Sequence, residues 1–516
     1  MLRRVMVLVV SLAVIVAGVG ARNVKADPAG ANVATADGES TFVLARMRYI
    51  DAGDAFSCVI LDDASAKCFG LGADGQLGSG STSNIGDGLG ASVSASAAIA
   101  LGSGLSTRAI ATGASHACAL LNNYSVKCWG SGVYGRLGYG DTTSRGSTSA
   151  SMGDALATVD LGTGRSARMI SAGAQHSCAL LDNNSVKCWG RGANGQLGIG
   201  NTQTRGDEPG EMGDSAAAIA FGSGRVARSI ATGATHSCAV LDNYSVKCWG
   251  DNSYGQLGQG NLTTIGDGIG SSVFASAAIA LGSGRLARAI AAGDVHTCAL
   301  LDDGNVKCWG GGGNGRLGSG AATDIGDGPN EMGDALAPVS LSSGRTAIAI
   351  TAGAAHTCAL LDNYAVKCWG SGADGRLGYG NQNNVGDNAG QMGDALPVVA
   401  LGTGRTARAV VAAAAHTCVI LDNNTVKCWG NGGSGRRGSG TTLRAGHDSS
   451  TTGDNLPPID LGSSRTARAL TEPGRPTSLT TTAGDAQVSL SWSAPASTGG
   501  STITDYHIEY SADSGV

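Results

Sequence analysis

Aromatic residues make up only 4% of the 516-residue chain, and charged residues only 15%. Lys and Arg together number 35 against 40 Asp and Glu, a balance of −5, so there is no basic domain of the kind that grips nucleic acid. No Gly-X-Y period runs through the 84 glycines, which excludes collagen, and 42% hydrophobic residues exclude a disordered chain. Beyond residue 20 no apolar stretch approaches membrane length. What is abundant is glycine. With few helix formers around it, that richness argues for many short strands joined by tight turns.

The first residues read as a targeting segment. Arg3 and Arg4 precede an apolar run from Val5 to Gly20, short for a bilayer span and suited to a signal peptide. Val19-Gly20-Ala21 and Val24-Lys25-Ala26 offer small residues for cleavage. Residues 1–26 are therefore expected to be a signal peptide and 27–40 a linker. Cutting after Ala26 removes four basic residues and no acids, so the balance becomes 31 − 40 = −9. The expected compartment is oxidising, secreted or at the cell surface, with no membrane span after cleavage.

Fourteen cysteines fall in seven pairs: Cys58 with Cys68, Cys118 with Cys128, Cys178 with Cys188, Cys238 with Cys248, Cys298 with Cys308, Cys358 with Cys368, and Cys418 with Cys428. Each pair is spaced by ten and lies sixty residues after the last. Such a period marks supersecondary units that bury their apolar faces only against their neighbours. In one unit, Ala167–Gly173, His176–Leu181 and Val186–Gly190 read as strands, with Asp182-Asn183-Asn184-Ser185 as a turn. Val159-Asp160-Leu161 supplies an expected fourth. The reading is all-β: residues 41–470 form a seven-bladed β-propeller of four-stranded blades. Its ends should close the ring, since Arg465–Leu470 repeats Ala45–Ile50 in phase. Cys178 and Cys188 are symmetric about residue 183, so a hairpin places them opposite each other within disulfide reach. Metal binding needs about four ligands around one ion, and each pair has at most one nearby histidine. Intra-blade disulfides are expected, with no metal and no cofactor.

The pattern Ala-Gly-x-x-His-x-Cys-Ala-Leu-Leu-Asp-x-x-x-Val-Lys-Cys-Trp-Gly, followed by Gly-x-x-Gly-Gln/Arg-Leu-Gly-x-Gly, resembles the regulator-of-chromosome-condensation repeat. His176, Trp189, Gly190, Gly195, Gln196, Leu197 and Gly198 stand on signature positions. The resemblance implies a seven-bladed propeller, and the paired cysteines look like those of a secreted bacterial branch. Phe56 and Phe69 replace His and Trp in the first unit, and Arg437 replaces Leu in the last. Residues 473–516 look like the start of a fibronectin type III domain, a partial immunoglobulin-like sandwich with Trp492, Tyr506 and Tyr510 on its strands.

Repetition in phase spreads the six histidines His116 to His416 around a ring, which suits hydrogen-bonded blade residues better than a catalytic centre. The tryptophans from Trp129 to Trp429 read as blade packing. The Arg-x-x-Arg pairs and the aspartates Asp154, Asp214, Asp334, Asp394 and Asp454 read as inter-blade ion pairs or solvated faces, with an anion-binding ring as the sharper alternative. Arg205-Gly206-Asp207 spells an adhesion tripeptide but falls in the repeat, where other units carry Ile-Gly-Asp or Val-Gly-Asp. No nucleophile triad or carboxylate pair stands at a single non-repeated position.

The expected function is therefore a non-catalytic, monomeric binding or adhesion scaffold for an extracellular protein or polysaccharide, acting through one face. Loops such as Ser81–Ala98 and Asn261–Ala278 differ most between units. Tyr134, Arg136, Tyr254, Arg316 and Arg376 occupy variable tips and are the candidate ligand-binding residues. A polysaccharide lyase or hydrolase using the central cleft is the alternative; clustered non-repeated acids in one mouth would favour it. Nucleotide exchange on a small GTPase, which the resemblance also implies, does not suit an exported acidic protein.

Overall fold

Each unit begins with a small-residue strand such as Ala167–Ala172, continues into His176–Leu181, and returns along Val186–Gly190. The three strands pair antiparallel in the order outer, middle, inner. The computed structural model describes residues 49–268 and 272–468, and the backbone of five strands within 7–16 and 477–509. Seven such three-stranded sheets are arranged like a seven-bladed propeller, and the described residues contain no α-helix.

The expected fourth strand does not form. The segment through Val159 gives one amide to the Val126 carbonyl at 2.8 Å, at the start of the outer strand. At the other end of that strand Gly130 and Arg145 exchange two bonds, at 2.8 and 3.0 Å. The same two-point attachment recurs in every unit. A segment pinned only at both ends leaves the ladder between them unpaired, so it is a strap rather than a strand.

Every cysteine pair is bridged within its own blade. Cys58 is joined to Cys68, Cys118 to Cys128, Cys178 to Cys188 and Cys238 to Cys248. Cys298 is joined to Cys308, Cys358 to Cys368 and Cys418 to Cys428, which leaves no free cysteine among the described residues. Each bridge crosses directly opposed positions, as at Cys178 and Cys188, whose Cα atoms are 4.1 Å apart. The turn between those strands places Asn184 at φ 63°, a left-handed conformation that asparagine tolerates. Tyr124, Tyr244 and Tyr364 take the same conformation in their units.

The ring closes by sharing one inner strand between the two ends of the repeat array. Ile50–Ala52 forms its inner part. Ala467 bridges Leu61, and the Arg468 amide donates to the Ile60 carbonyl at 2.8 Å. Residues 466–468 thus stand in the first blade where 106–108 stand in the second. Arg465 pairs with Asp62 at 3.2 Å and with Asp63.

Met1–Leu44 and Ala469–Val516 make up a second unit. In it Thr477–Gly484 pairs antiparallel with Gln487–Ser493, and Val14–Val16 runs parallel to Val488–Leu490. Val7–Val9 and Val14–Val16, inside the apolar run expected to be a signal peptide, take strand form. The linker 27–40, both cleavage positions, and the side chains of Trp492, Tyr506 and Tyr510 lie outside the described residues. No helix among the described residues is long and apolar enough to cross a membrane.

Candidate functional site

The six repeated histidines are fully buried and bind across blade boundaries. His116 Nε2 lies 2.8 Å from Ser177 Oγ, and the bond repeats from His176 to Ser237, His236 to Thr297, His296 to Thr357, His356 to Thr417 and His416 to Ser57. Ser177 Oγ donates to the Arg136 carbonyl at 3.0 Å, so its oxygen accepts from a protonated Nε2. Trp189 Nε1 donates to that same carbonyl at 3.0 Å. One backbone oxygen thus takes two donors from the next blade. Burial pushes His176 down to about 3, helped by the His236 ring and the Arg136 guanidinium. Burial, helped by Arg436, does the same to His416. Burial pushes His236 to about 4, against the pull of Asp251. The first unit breaks the pattern coherently: Phe56 donates nothing, and Ala117 stands where the next blade would otherwise carry the hydroxyl.

Other repeated polar residues are equally committed. Lys187 Nζ donates to the Leu161 and Gly213 carbonyls at 3.0 and 2.8 Å, tying two outer segments to the blade. Asp214 accepts from the Thr163 amide and hydroxyl at 2.9 and 2.6 Å. The first arginine of Arg-x-x-Arg pairs within its own blade, as Arg165 with Asp182 at 3.3 Å and Arg225 with Asp242 at 3.0 Å. Of the two readings expected from sequence, inter-blade ion pairs or solvated faces, the first gives way to intra-blade pairs at these arginines, because inner strand and hairpin turn meet at one end of the sheet, and the pairs are solvent-exposed. Arg205 donates to the Glu211 and Ser215 carbonyls at 3.2 and 3.1 Å, and the Gly206 carbonyl accepts from Gly140 at 3.0 Å. The adhesion tripeptide is thus part of the scaffold. No cluster of metal-ligating side chains occurs among the described residues.

At one position of the glycine turn the units carry either Gln or Arg. Gln76, Gln196 and Gln256 accept from the amide two residues earlier, as Gln76 Oε1 does from Asp74 at 2.8 Å. Arg136, Arg316, Arg376 and Arg436 instead donate through Nε to the carbonyl three residues earlier, at 2.8–2.9 Å. The two bonds use opposite ends of the same peptide group. An accepting side chain turns its N–H inward; a donating one turns its C=O inward, flipping the peptide. The flip puts Tyr134, Asn314, Asp374 and Ser434 at φ 59–63°, a conformation absent at Asp74, Asn194 and Tyr254.

Each of those arginines also reaches the central channel. Nη1 donates to the carbonyl of Ala174, Ala354, Ala414 or Asp54, at 3.4, 3.2, 2.9 and 2.8 Å respectively. Three residues from every blade line this channel, whose volume is about 80 Å³. Its walls are close: a Cβ at Gly173 would overlap the Gly233 carbonyl oxygen. Tyr134 lies against Arg136 and Arg191, with cation–ring distances of 5.8 and 5.3 Å. It is 38% exposed, and Tyr254 is 46% exposed.

Five residues singled out from sequence, Tyr134, Arg136, Tyr254, Arg316 and Arg376, therefore stand on the turns of one face, around the channel mouth. Arg436 completes the arginine set and was missed. So were Asp54 and Asp294, which replace alanine at the channel-lining position of the other units. Burial raises Asp54, against the pull of Arg436. Burial and the Asp54 carboxylate push Asp294 up to about 6, with Arg316 opposing. Their departure from the repeat was the available signal. The loops Ser81–Ala98 and Asn261–Ala278 are held to the blades by Lys67 and Lys247, which bind the carbonyls of Val93 and Val273 at 2.9 and 2.8 Å.

Two family profiles described as "Regulator of chromosome condensation (RCC1) repeat" match the chain. One covers residues 108–136, 170–196, 227–256, 287–316, 347–376 and 408–436, the other 184–240. The chain thus carries RCC1 repeats. It is 27% identical to the Ultraviolet-B receptor UVR8 of Arabidopsis thaliana over 76% of this chain and 79% of that protein. Similarity to the human E3 ubiquitin-protein ligase HERC2, 29% identical, spans 53% of this chain but 5% of that protein. Among solved structures, human WBSCR16 superimposes with TM-score 0.55 at 20% identity, covering 79% of this chain and 93% of that one. Yeast RCC1 (Prp20), solved bound to Kap60, gives 0.55 at 17% identity, covering 82% and 90%. At these identities the structures establish the fold.

Proposed function

We propose that the protein is an exported, non-catalytic binding scaffold that holds an extracellular protein on the channel-mouth face. RCC1-repeat relatives such as UVR8 support a binding or regulatory scaffold. The observation that carries the reading is the division of labour between positions. The histidines and tryptophans of blades two to seven are used up in bonds to a neighbouring blade and the lysines in bonds to outer segments, while Tyr134, Arg136, Tyr254, Arg316 and Arg376, which vary between units, share one face. Exposed tyrosines beside arginines are the side chains that dominate protein interfaces. The seven disulfides, the leader at 1–26 and the fibronectin-like segment 473–516 support export to an oxidising space.

Asp54 and Asp294 give the hydrolase or lyase reading its one specific support, since two acids lining one channel, both raised by burial, are candidates for acid–base chemistry. A channel of about 80 Å³ is too small for a sugar ring, which weighs against it. Affinity capture from culture medium with the purified propeller, in parallel with polysaccharide cleavage assays, separates the two. A retained protein without cleavage supports the scaffold; turnover of a polysaccharide refutes it.

A further inference from the structure

The outer strand of each blade turns the N–H and C=O of its cysteine away from the sheet. In the second blade Tyr139 answers both: its hydroxyl accepts from the Cys128 amide at 2.9 Å and donates to the Cys128 carbonyl at 3.0 Å. Tyr379 does the same at Cys368, at 2.8 Å each. The Tyr139 ring packs on the cluster that contains Leu137 and Val159, next to Met212.

In the fifth blade the equivalent residue is Ser319, whose hydroxyl turns away to the Ala321 carbonyl at 3.2 Å. Cys308 is buried, and among the described residues no side-chain hydroxyl meets its N–H and C=O as the tyrosines do in their blades. Beside it lies a cavity of about 630 Å³. Leu317, Val339 and Met392, the counterparts of Leu137, Val159 and Met212, line it together with Leu336 and Ile325.

We propose that this cavity is a binding site for a small phenol bearing an apolar para substituent. The phenol hydroxyl bridges the Cys308 N–H and C=O as Tyr139 and Tyr379 do in their own blades. The ring takes the place of theirs, and the substituent extends along Leu336. The cavity lies within the size range of small-molecule sites, with an apolar wall of Leu317, Ile325, Leu336, Val339 and Met392 and with Asn330, Glu331 and Ser340 on its remaining lining. This inference is independent of the proposed protein-binding face.

Isothermal titration of the full chain with 4-ethylphenol and with ethylbenzene tests it. Expected are saturable binding of one 4-ethylphenol per chain and at least tenfold weaker binding of ethylbenzene, the loss of one buried hydrogen-bonded pair. Ser319→Tyr should abolish binding and raise the melting temperature by several degrees. Tyr379→Ser should open a second site and raise the stoichiometry to two; Tyr139→Ser is the equivalent test should that variant fail to fold. Absence of saturable binding, equal affinity for ethylbenzene, undiminished binding by Ser319→Tyr, or a stoichiometry fixed at one in a folded Tyr→Ser variant would overturn the proposal.

Discussion

Ser57 Oγ lies 2.7 Å from His416 Nε2, joining residues 359 apart in the chain. The bond repeats the contact that links each earlier histidine to the next blade, and it makes the closing boundary chemically like all but the one between the first and second blades, where Phe56 meets Ala117. Ser57 also donates to the Arg436 carbonyl at 3.0 Å. Ser57→Ala would leave the His416 Nε2–H buried without its acceptor, so a loss of about 1–3 kcal/mol is expected in urea unfolding. An unchanged midpoint would show that closure does not depend on this bond.

Acid should weaken the ring well before its carboxylates are neutralised. Unfolded imidazoles take up protons near pH 6.5. The folded ones do so near 3 for His176 and His416 and near 4 for His236, with His116, His296 and His356 also well below the ordinary value. Between those limits the unfolded state binds more protons. The histidine contribution is therefore complete above pH 6.5 and is lost as pH falls toward 4, by at most about 1.4 kcal/mol per pH unit for each histidine. Urea midpoints measured at pH 7 and 5 should differ clearly; equal midpoints would contradict the buried neutral assignment.

The two turn types predict opposite responses to glycine. Ser434 sits at φ 59° in an arginine turn, so Ser434→Gly should relieve strain and stabilise by about 1 kcal/mol. Asn194 is in a glutamine turn without that conformation, and Asn194→Gly should destabilise by about 0.5–1 kcal/mol. Paired thermal melts check this, and shifts of the same sign would refute the peptide-flip explanation.

Each bridge closes a short loop and should contribute about 2–3 kcal/mol by restricting the unfolded chain. Replacing Cys178 and Cys188 together by alanine should lower the melting temperature without changing blade number in a solved structure. Truncation separates the ring from the C-terminal segment. Ending the chain after Ser464 removes the shared strand and the Arg465 pairs with Asp62 and Asp63, and should cost several degrees. Removing only 473–516 should leave the ring's melting point nearly unchanged.

Blade number, bridges and closure were legible because they rest on period and on local opposition across a hairpin. The fourth strand was not. Val159-Asp160-Leu161 has strand composition, but only its Val159 amide meets the sheet edge, and composition cannot show where a segment leaves that edge. The histidines read correctly as structural, and their partners stand in the sequence as the Ser or Thr that follows His176, His236, His296, His356 and His416, and as Ser57 after Phe56. The sense of that pairing, from one blade to the next, needed the packed ring. Arg136 and Gln196 looked interchangeable in sequence; the difference lies in whether a side chain gives or takes a proton toward one peptide. Asp54 and Asp294 depart from the alanine of the other units in sequence, but that their position lines the channel needed the packed ring.

Binding through the channel-mouth face is tested most directly with the captured partner and three forms of the protein. Tyr134 and Tyr254 point outward from that face, whereas Tyr364, 51% exposed, lies in the hairpin turn at the opposite end of its blade. Biolayer interferometry should show at least a tenfold loss of affinity for the protein carrying both Tyr134→Ala and Tyr254→Ala, and wild-type affinity for Tyr364→Ala, with both variants melting near the parent temperature. Wild-type affinity in the double variant, or a loss confined to Tyr364→Ala, would contradict the assignment of this face.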